Sequence, residues 1–190
     1  MDSSLNIPEI KIVPVGIVDP ELLEYLALTI SGNLGTRCAN SPISIEPRDA
    51  YNARRQQYSS TKILAALLEL NSGDGAKTLG VAQVDLFIPI LTFVFGEAQL
   101  GGEVALMSSH RLQQQFYGLP ENKQLFYERA EKEAIHELGH TYGLIHCHSY
   151  DCVMHFSNSV EQVDLKSAVF CQVCSRLFRA LVNGPLAVVS

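Results

Sequence analysis

The chain has 190 residues, a length that suits one domain with a substantial buried core. Apolar residues make up 47% of it and charged residues 18%, which is ordinary for a globular protein and unlike a disordered one. Fourteen Lys and Arg against twenty Asp and Glu give a net charge of −6. This acidic balance argues against a broad nucleic-acid interface, which needs a basic surface.

The first half of the chain alternates predicted strands and helices. The segment Lys11–Val18 is rich in β-formers and ends at Asp19-Pro20, which predicts a strand followed by a turn. Proline suits the first position of a helix, here one that runs to about Ile30. A short strand is expected at Ser41–Glu46. Apolar residues recurring at spacings of three and four predict a helix over Tyr58–Leu70.

The second half begins with three predicted strands, at Thr78–Pro89, Thr92–Phe95 and Glu103–Ser108. A long helix is expected over Glu121–Tyr142. A last helix is expected over Asp164–Leu181, through both cysteines of a C-x-x-C pair. This order of elements predicts an α/β (α+β) fold in which helices back a twisted mixed sheet.

Neither a membrane span nor an export signal is predicted. The most apolar stretch, Val81–Phe95, contains Asp85 and Pro89 and is too short to cross a bilayer as a helix. The first residues, MDSSL, lack the basic start and apolar run of a secretory signal. We therefore expect a monomeric cytoplasmic protein without membrane contact.

The most informative stretch is His136 to His146, which reads HExxHxxGxxH. On a helix, His136 and His140 leave the same face about 6 Å apart, so their nitrogens can reach one metal ion at about 2.0–2.1 Å. Glu137 is too far round the helix to ligate, but it is placed to hydrogen-bond a water on that metal. Gly143 can adopt the left-handed conformation that ends a helix, which lets His146 reach the ion from another side. Exposed polar side chains or core histidines are the alternative, but they give this spacing no shared cause.

Four cysteines follow as two close pairs, Cys147 with Cys152 and Cys171 with Cys174. Such pairs fit a closed tetrahedral zinc site with four thiolate ligands. Two alternatives stay open. Disulfides are disfavoured because the chain shows no secretory signal, and a redox C-x-x-C pair would not need the first two cysteines. The fifth cysteine, Cys38, is expected to be an ordinary thiol.

The order HExxHxxGxxHC, four residues, C-x-M, sixteen residues and C-x-x-C resembles the signature of the archaemetzincins (archaelysins). These belong to the metzincin clan of zinc-dependent metallopeptidases. The match runs from His136 to Cys174 without a missing position. A looser match extends upstream through Tyr51–Tyr58 (YNARRQQY) and Gly101–Ser108 (GGEVALMS), so the resemblance covers most of the chain.

The resemblance implies two zinc ions, one catalytic and one structural. It assigns the catalytic ion to His136, His140 and His146, and the structural ion to Cys147, Cys152, Cys171 and Cys174. Glu137 would be the general base and acid, and Met154 the Met-turn residue beneath the catalytic ion. Some metzincins have a tyrosine two residues after this methionine, whereas this chain has Phe156, so no phenolic role is expected there. His148 and His155 are not assigned as ligands.

The expected fold is a single metzincin-like catalytic domain over residues 1–190. An upper N-terminal subdomain would span residues 1–143. The lower, irregular subdomain, 144–190, is too small for a strong core of its own, so a structural zinc would stabilise it. In metzincins the edge strand of the sheet lines the cleft and pairs with an extended substrate. By resemblance, Gly101–Ser108 is expected to be that strand.

Together these features predict a zinc metallopeptidase in which Glu137 takes a proton from a zinc-activated water that attacks a peptide bond. A zinc-stabilised peptide-binding module without catalysis is one alternative, which the complete catalytic set disfavours. A nucleic-acid binder built on a four-cysteine zinc ribbon is another. The acidity of the chain and the lack of a Lys/Arg cluster near the cysteines argue against it. The sequence does not distinguish endopeptidase from aminopeptidase action.

Overall fold

A five-stranded mixed sheet lies at the centre of the computed structural model, which describes residues 7–183 except Ser72 and Asp74. Its strands are β1 (Ile10–Val15), β2 (Cys38–Asn40), β5 (Lys77–Ala82), β7 (Gly96–Ala98) and β8 (Val104–Ser108). The spatial order is β2-β1-β5-β8-β7, in which the first four strands are parallel and β7 is antiparallel. A smaller sheet contains β3 (Tyr51–Asn52), β4 (Gln57–Ser59) and β6 (Leu86–Phe87).

Helices cover both faces of the large sheet. On one face lie α1 (Pro20–Leu34) and α3 (Lys123–Thr141), and on the other lies α2 (Ser60–Leu70). The remaining helices, α4 (Val160–Leu165) and α5 (Gln172–Val182), belong to the C-terminal segment. Side chains of β5 alternate between the faces: Leu79 and Val81 pack in the core with α1 and α3, while Ala82 packs in the core with α2. The predicted α/β architecture with a mixed sheet is confirmed. No helix in the described ranges combines the length and the apolarity that a bilayer crossing requires.

Four predicted elements were wrong in their bounds. The strand expected at Thr78–Pro89 is two strands, β5 and β6, which belong to different sheets. The short strand is β2 at Cys38–Asn40 rather than 41–46, where Ile45 forms only an isolated bridge to Val15. The strand expected at 92–95 begins only at Gly96. The last helix is two helices, because residues 167–169 bond to the loop at 151–153 instead of continuing α4. In that contact Ser167 donates to Asp151 O and Val169 O accepts from Val153 N.

The expected edge strand was also wrong. The strand within Gly101–Ser108 is β8, which is an interior strand, because it pairs with β5 on one side and with β7 on the other. The chain reverses at Gly101, whose φ of 67° requires the left-handed conformation, and β7 thereby becomes the edge. A strand of three residues such as Gly96–Ala98 is too short to show a strong strand pattern.

The C-terminal segment packs against the same core as α3. Leu144, Met154 and Phe178 belong to the cluster that contains Leu138 of α3. Polar contacts add to this: the Arg129 guanidinium makes two hydrogen bonds of 2.7 Å to the Asp164 carboxylate. The segment that follows α3 is therefore held against that helix by both apolar burial and ion pairing.

A buried ion pair makes the second polar link. Nζ of Lys166 lies 2.7 Å from Oε1 of Glu133, and the side chains are 0% and 4% exposed. Since a charge buried without its partner is costly, removing one partner destabilises far more than removing both. We expect Lys166→Met to lower the free energy of unfolding by about 3 to 5 kcal/mol. The double variant Glu133→Met with Lys166→Met should regain most of that loss in urea unfolding. A double variant no more stable than Lys166→Met would contradict this account.

Candidate metal centre

Helix α3 positions three of the candidate residues, and its ends are defined by specific bonds. At its start, Oδ1 of Asn122 accepts a hydrogen bond of 3.0 Å from Leu125 N. At its end, Gly143 has a φ of 91°. Leu144 N donates to Gly139 O at 3.1 Å and Gly143 N donates to His140 O at 2.9 Å, which together form a Schellman motif. The role predicted for Gly143 is confirmed, and the chain turns back beside the helix.

Backbone carbonyls fix the tautomers of the two histidines on α3. Nδ1 of His136 lies 2.8 Å from Val153 O, and Nδ1 of His140 lies 2.7 Å from Leu144 O. Because a carbonyl oxygen only accepts, each Nδ1 carries the proton and each Nε2 keeps its lone pair. The two Nε2 atoms are 3.2 Å apart. Two nitrogens on a tetrahedral zinc ion lie about 3.3 Å apart, so this pair fits one ion.

The third histidine completes the group. The His146 ring centroid lies 5.3 Å from that of His136 and 4.9 Å from that of His140, and the candidate ligand nitrogens of all three lie within 4.8 Å of one another. Burial, with repulsion from neighbouring cations, lowers the pKa of His136 well below its ordinary value. Burial likewise lowers the pKa values of His140 and His146. Neutral imidazole is the form that binds metal, so this environment suits a ligand set.

The four cysteines form a second group, with all sulfur atoms within 4.8 Å of one another. Sγ of Cys147 and Sγ of Cys171 are 3.8 Å apart, and sulfurs on a tetrahedral zinc ion lie about 3.8 Å apart. Backbone N–H groups donate to Cys147 from Ser149 at 3.4 Å and to Cys152 from Cys171 at 3.3 Å. A hydrogen bond from the backbone N–H of Cys174 is the main cause that lowers the pKa of Cys171 to about 7. Burial raises the pKa of Cys174. No disulfide joins any two of the described cysteines.

Met154 packs against α3. It is fully buried, and a Cβ on Gly139 would overlap its sulfur, so the glycine allows the thioether to pack directly against the backbone between His136 and His140. Met154 O also accepts a bond of 2.9 Å from Cys147 N. The methionine therefore contacts the helix with its side chain and the cysteine group with its backbone.

The remaining histidines lie outside both ligand groups. Nδ1 of His155 donates to Cys147 O at 2.9 Å, and its ring contacts Tyr150. His148 is exposed. His110 lies against the ring of Phe116 with centroids 5.2 Å apart. None of these three joins a cluster of candidate ligand atoms among the described residues.

Glu137 lies beside the edge strand. Its side chain is almost completely buried, yet it lines the cleft that contains the three histidines. Burial raises the pKa of Glu137 well above its ordinary value, repulsion from Glu133 adds to the increase, and Lys166 opposes it. A Cβ on Gly96 would lie 2.5 Å from both Cγ and Oε1 of Glu137 and 2.5 Å from Leu106 O. Only glycine at this position leaves room for the carboxylate.

The cleft has a volume of about 500 Å³ and an apolar wall with acidic groups. Its apolar lining residues are Leu91, Phe93, Val94, Phe95, Ala98, Leu100, Ile145 and Phe156. Its acidic lining residues are Glu97, Glu133 and Glu137, and none of the described lining residues is Lys or Arg. The ring centroid of Phe156 lies 5.1 Å from that of His146.

The edge strand presents backbone groups to this cleft. On either side of β7, Phe95 O accepts from Ser108 N at 2.7 Å and Gln99 N donates to Val104 O at 3.0 Å, and both bonds join this segment to β8 and its C-terminal end. By the alternation of an antiparallel ladder, the N–H and C=O of Gly96 and Ala98 point away from β8. This leaves them directed to the open side, where an extended chain can add a strand.

Three residues near this site were not predicted from the sequence: Gly96, Glu133 and Lys166. Glu133 precedes Glu137 by one helical turn, a spacing that could have suggested a shared face. Nothing local marks Lys166, because its approach to Glu133 depends on how the segment after Met154 folds back. Gly96 is one glycine among thirteen, and its steric requirement is visible only in three dimensions.

Comparison with known proteins identifies close relatives. The sequence model of peptidase family M54 matches residues 41–180. The archaemetzincin of Methanocaldococcus jannaschii is 46% identical over 168 residues, which is 88% of this chain and 91% of that protein. The crystal structure of Archaeoglobus fulgidus archaemetzincin complexed with malonate is 39% identical, with a TM-score of 0.77 over 89% of this chain and 99% of that one. The Methanopyrus kandleri archaemetzincin structure is 32% identical, with a TM-score of 0.80 over 94% and 97%.

The contact between Gly96 and Glu137 gives a stability prediction. Because a methyl group at Gly96 would meet both the carboxylate and a backbone oxygen, Gly96→Ala should lower the free energy of unfolding by about 1 to 3 kcal/mol. Gly32 in α1 is the matched control: it has open space around it and an ordinary φ, so Gly32→Ala should raise stability by about 0.5 to 1 kcal/mol. Urea unfolding compares the two. A Gly96→Ala protein as stable as the parent would show that the contact is not restrictive.

Proposed function

Because the chain belongs to peptidase family M54, the archaemetzincins, and is a zinc metallopeptidase with the fold of that family, we propose that His136, His140, His146 and Glu137 form its hydrolytic centre. The observation that carries this proposal is the convergence of three imidazoles, two with Nε2 lone pairs 3.2 Å apart, at the floor of an open cleft. Peptides are the substrates of such an enzyme. Zinc fits the donor set, since imidazole nitrogen and the separation of the two Nε2 atoms both suit it.

The residues of the centre have separate tasks. The three histidines would hold the metal, and the carbonyls of Val153 and Leu144 keep the first two rings oriented with Nε2 free to bind it. When bound there, zinc polarises a peptide carbonyl and lowers the pKa of a coordinated water. The Glu137 carboxylate accepts a proton from the attacking water and then delivers it to the departing amine.

The edge strand β7 would align the substrate. We assign to β7 the pairing with an extended peptide through the outward backbone groups of Gly96 and Ala98. Gly96 lies against the Glu137 side chain, so a peptide paired there has its backbone beside the proposed base. Backbone pairing of this kind depends little on the substrate's side chains.

A second zinc ion on Cys147, Cys152, Cys171 and Cys174 would be structural. Four thiolate donors leave no coordination position for substrate, so this ion would stabilise rather than catalyse. We propose a single catalytic domain in which residues 144–190 form a lower subdomain held by this ion. A cytoplasmic location and a monomeric state stay predictions of the sequence.

The base assignment predicts a specific loss. Glu137→Gln keeps the shape of the side chain but removes the proton acceptor, so kcat should fall by about 10²- to 10⁴-fold while bound zinc is unchanged. Glu69→Gln, an exposed change on α2, is the control and should keep full activity. Hydrolysis of quenched peptides and zinc analysis of the same samples measure both quantities. Parent-like turnover by zinc-loaded Glu137→Gln would exclude this residue as the base.

Metal content tests the two-site assignment. The parent should contain about two zinc ions per chain, and His140→Ala and Cys171→Ser should each contain about one. His110→Ala and Cys38→Ser are matched controls, because both residues lie outside the two clusters, and both should keep two ions. Loss of both ions from either single change would mean that the sites are coupled or wrongly divided.

A further inference from the structure

The segment Tyr51–Tyr58 lies outside the metal centre, yet it forms a hairpin with a defined tip. Tyr51 pairs with Tyr58 and Asn52 with Gln57. Oδ1 of Asn52 accepts from the backbone N–H groups of Arg54 and Arg55, each at 3.1 Å. The turn closes through Gln56 in the left-handed conformation, with a φ of 54°. This geometry fixes the backbone positions from which the Arg55 and Gln57 side chains extend.

These two side chains contact the cleft wall, which we define as Leu91–Phe95. Nη2 of Arg55 donates to Leu91 O at 2.6 Å and to Thr92 O at 3.1 Å. Nε2 of Gln57 donates to the same Thr92 oxygen at 2.9 Å. Nε of Arg55 also donates to Oε1 of Gln57 at 3.1 Å, so the two act together. We call this pair the Arg55–Gln57 clamp.

The ion pair between Asp85 and Arg111 supports the clamp. Nε2 of Gln57 also donates to Oδ2 of Asp85 at 2.9 Å, and Asp85 accepts two bonds, of 2.6 and 2.7 Å, from Arg111. The Arg111 guanidinium lies 4.1 Å from the ring centroid of Phe93, a residue of the wall. The wall is thus held through its backbone by the clamp and through one of its rings by Arg111.

The wall has little regular structure of its own. It lies between β6 and β7, and Val94 N donates to Leu86 O at 3.0 Å in an isolated bridge. All five of its residues line the cleft, four of them with apolar side chains. Backbone hydrogen bonds hold the wall at Val94 N and Phe95 O. At its other end the clamp bonds to the carbonyls of Leu91 and Thr92, and it therefore helps to place the apolar groups there.

We propose that Arg55 and Gln57 are positioning residues that hold the Leu91–Phe95 wall where it contacts large apolar side chains of a peptide substrate. This inference rests on the proposed peptidase function, and it goes further by assigning part of the substrate preference to a hairpin remote from the metal ligands. Neither side chain touches the substrate. Their effect therefore falls on KM and on discrimination between side chains rather than on kcat.

The test uses two quenched peptides that differ only in one residue beside the cut bond, leucine or alanine. The parent should prefer leucine, and Arg55→Met should lower the leucine-to-alanine ratio of kcat/KM by on the order of tenfold, through a higher KM for the leucine peptide. Arg54→Met is the matched control. It makes the same chemical change at the next, exposed position of the hairpin and should keep the parent ratio.

Two more measurements keep the outcome decisive. Arg55→Lys keeps the charge but cannot bridge two carbonyls and Gln57 at once, so it should reproduce part of the loss even where Arg55→Met does not fold. In a zinc-loaded Glu137→Gln background, Kd for the leucine peptide should rise when Arg55→Met is added, without any need for turnover. An unchanged ratio and an unchanged Kd in folded Arg55 variants, or an equal loss in Arg54→Met, would overturn the clamp proposal. A parent that cuts neither peptide would instead refute the proposed function.

Discussion

Two backbone carbonyls, Val153 O and Leu144 O, set the tautomer and the orientation of the histidine rings of α3. Each accepts from Nδ1 of one ring, which leaves Nε2 unprotonated and directed to a common point. Neither carbonyl belongs to the helix. Both are supplied by the chain after it turns at Gly143, so the ligand geometry depends on that turn and on the packing of the C-terminal segment. A helix with the same histidines but without this segment would leave both rings free to rotate.

The cysteine group also helps to position the histidines, because its loop contains Val153. The loop from Cys147 to His155 closes on itself, since Cys147 N bonds to Met154 O and His155 N bonds to Cys152 O. Val153, which orients His136, lies between Cys152 and Met154 in this loop. A zinc ion on the four sulfurs would hold the loop, and through it the carbonyl that positions a ligand of the proposed catalytic ion. The buried pair of Lys166 and Glu133 ties the same region to α3 at a second place.

The features that could be predicted from the sequence are local ones. Fixed offsets along a helix brought His136 and His140 together, and glycine at 143 predicted the turn, because both follow from backbone geometry. Features whose position depends on the rest of the fold were predicted wrongly or not at all. The edge strand was misplaced because β7 has only three residues, and its neighbour β8 carried the clearer strand signal. Lys166 contacts Glu133, which is 33 residues away in the sequence, and Arg55 contacts Leu91, which is 36 residues away. No spacing rule predicts contacts between residues so far apart.

The central claim is that three Nε2 atoms hold one zinc ion with a position left open to the cleft. A crystal structure of the zinc-loaded protein, with anomalous scattering recorded at the zinc edge, tests it directly. We expect a peak about 2.0–2.1 Å from Nε2 of His136, His140 and His146, with no fourth protein ligand. The Nδ1 atoms of His136 and His140 should remain on the carbonyls of Val153 and Leu144. A peak bound through Nδ1, or an ion whose fourth position is filled by a protein atom, would contradict the account.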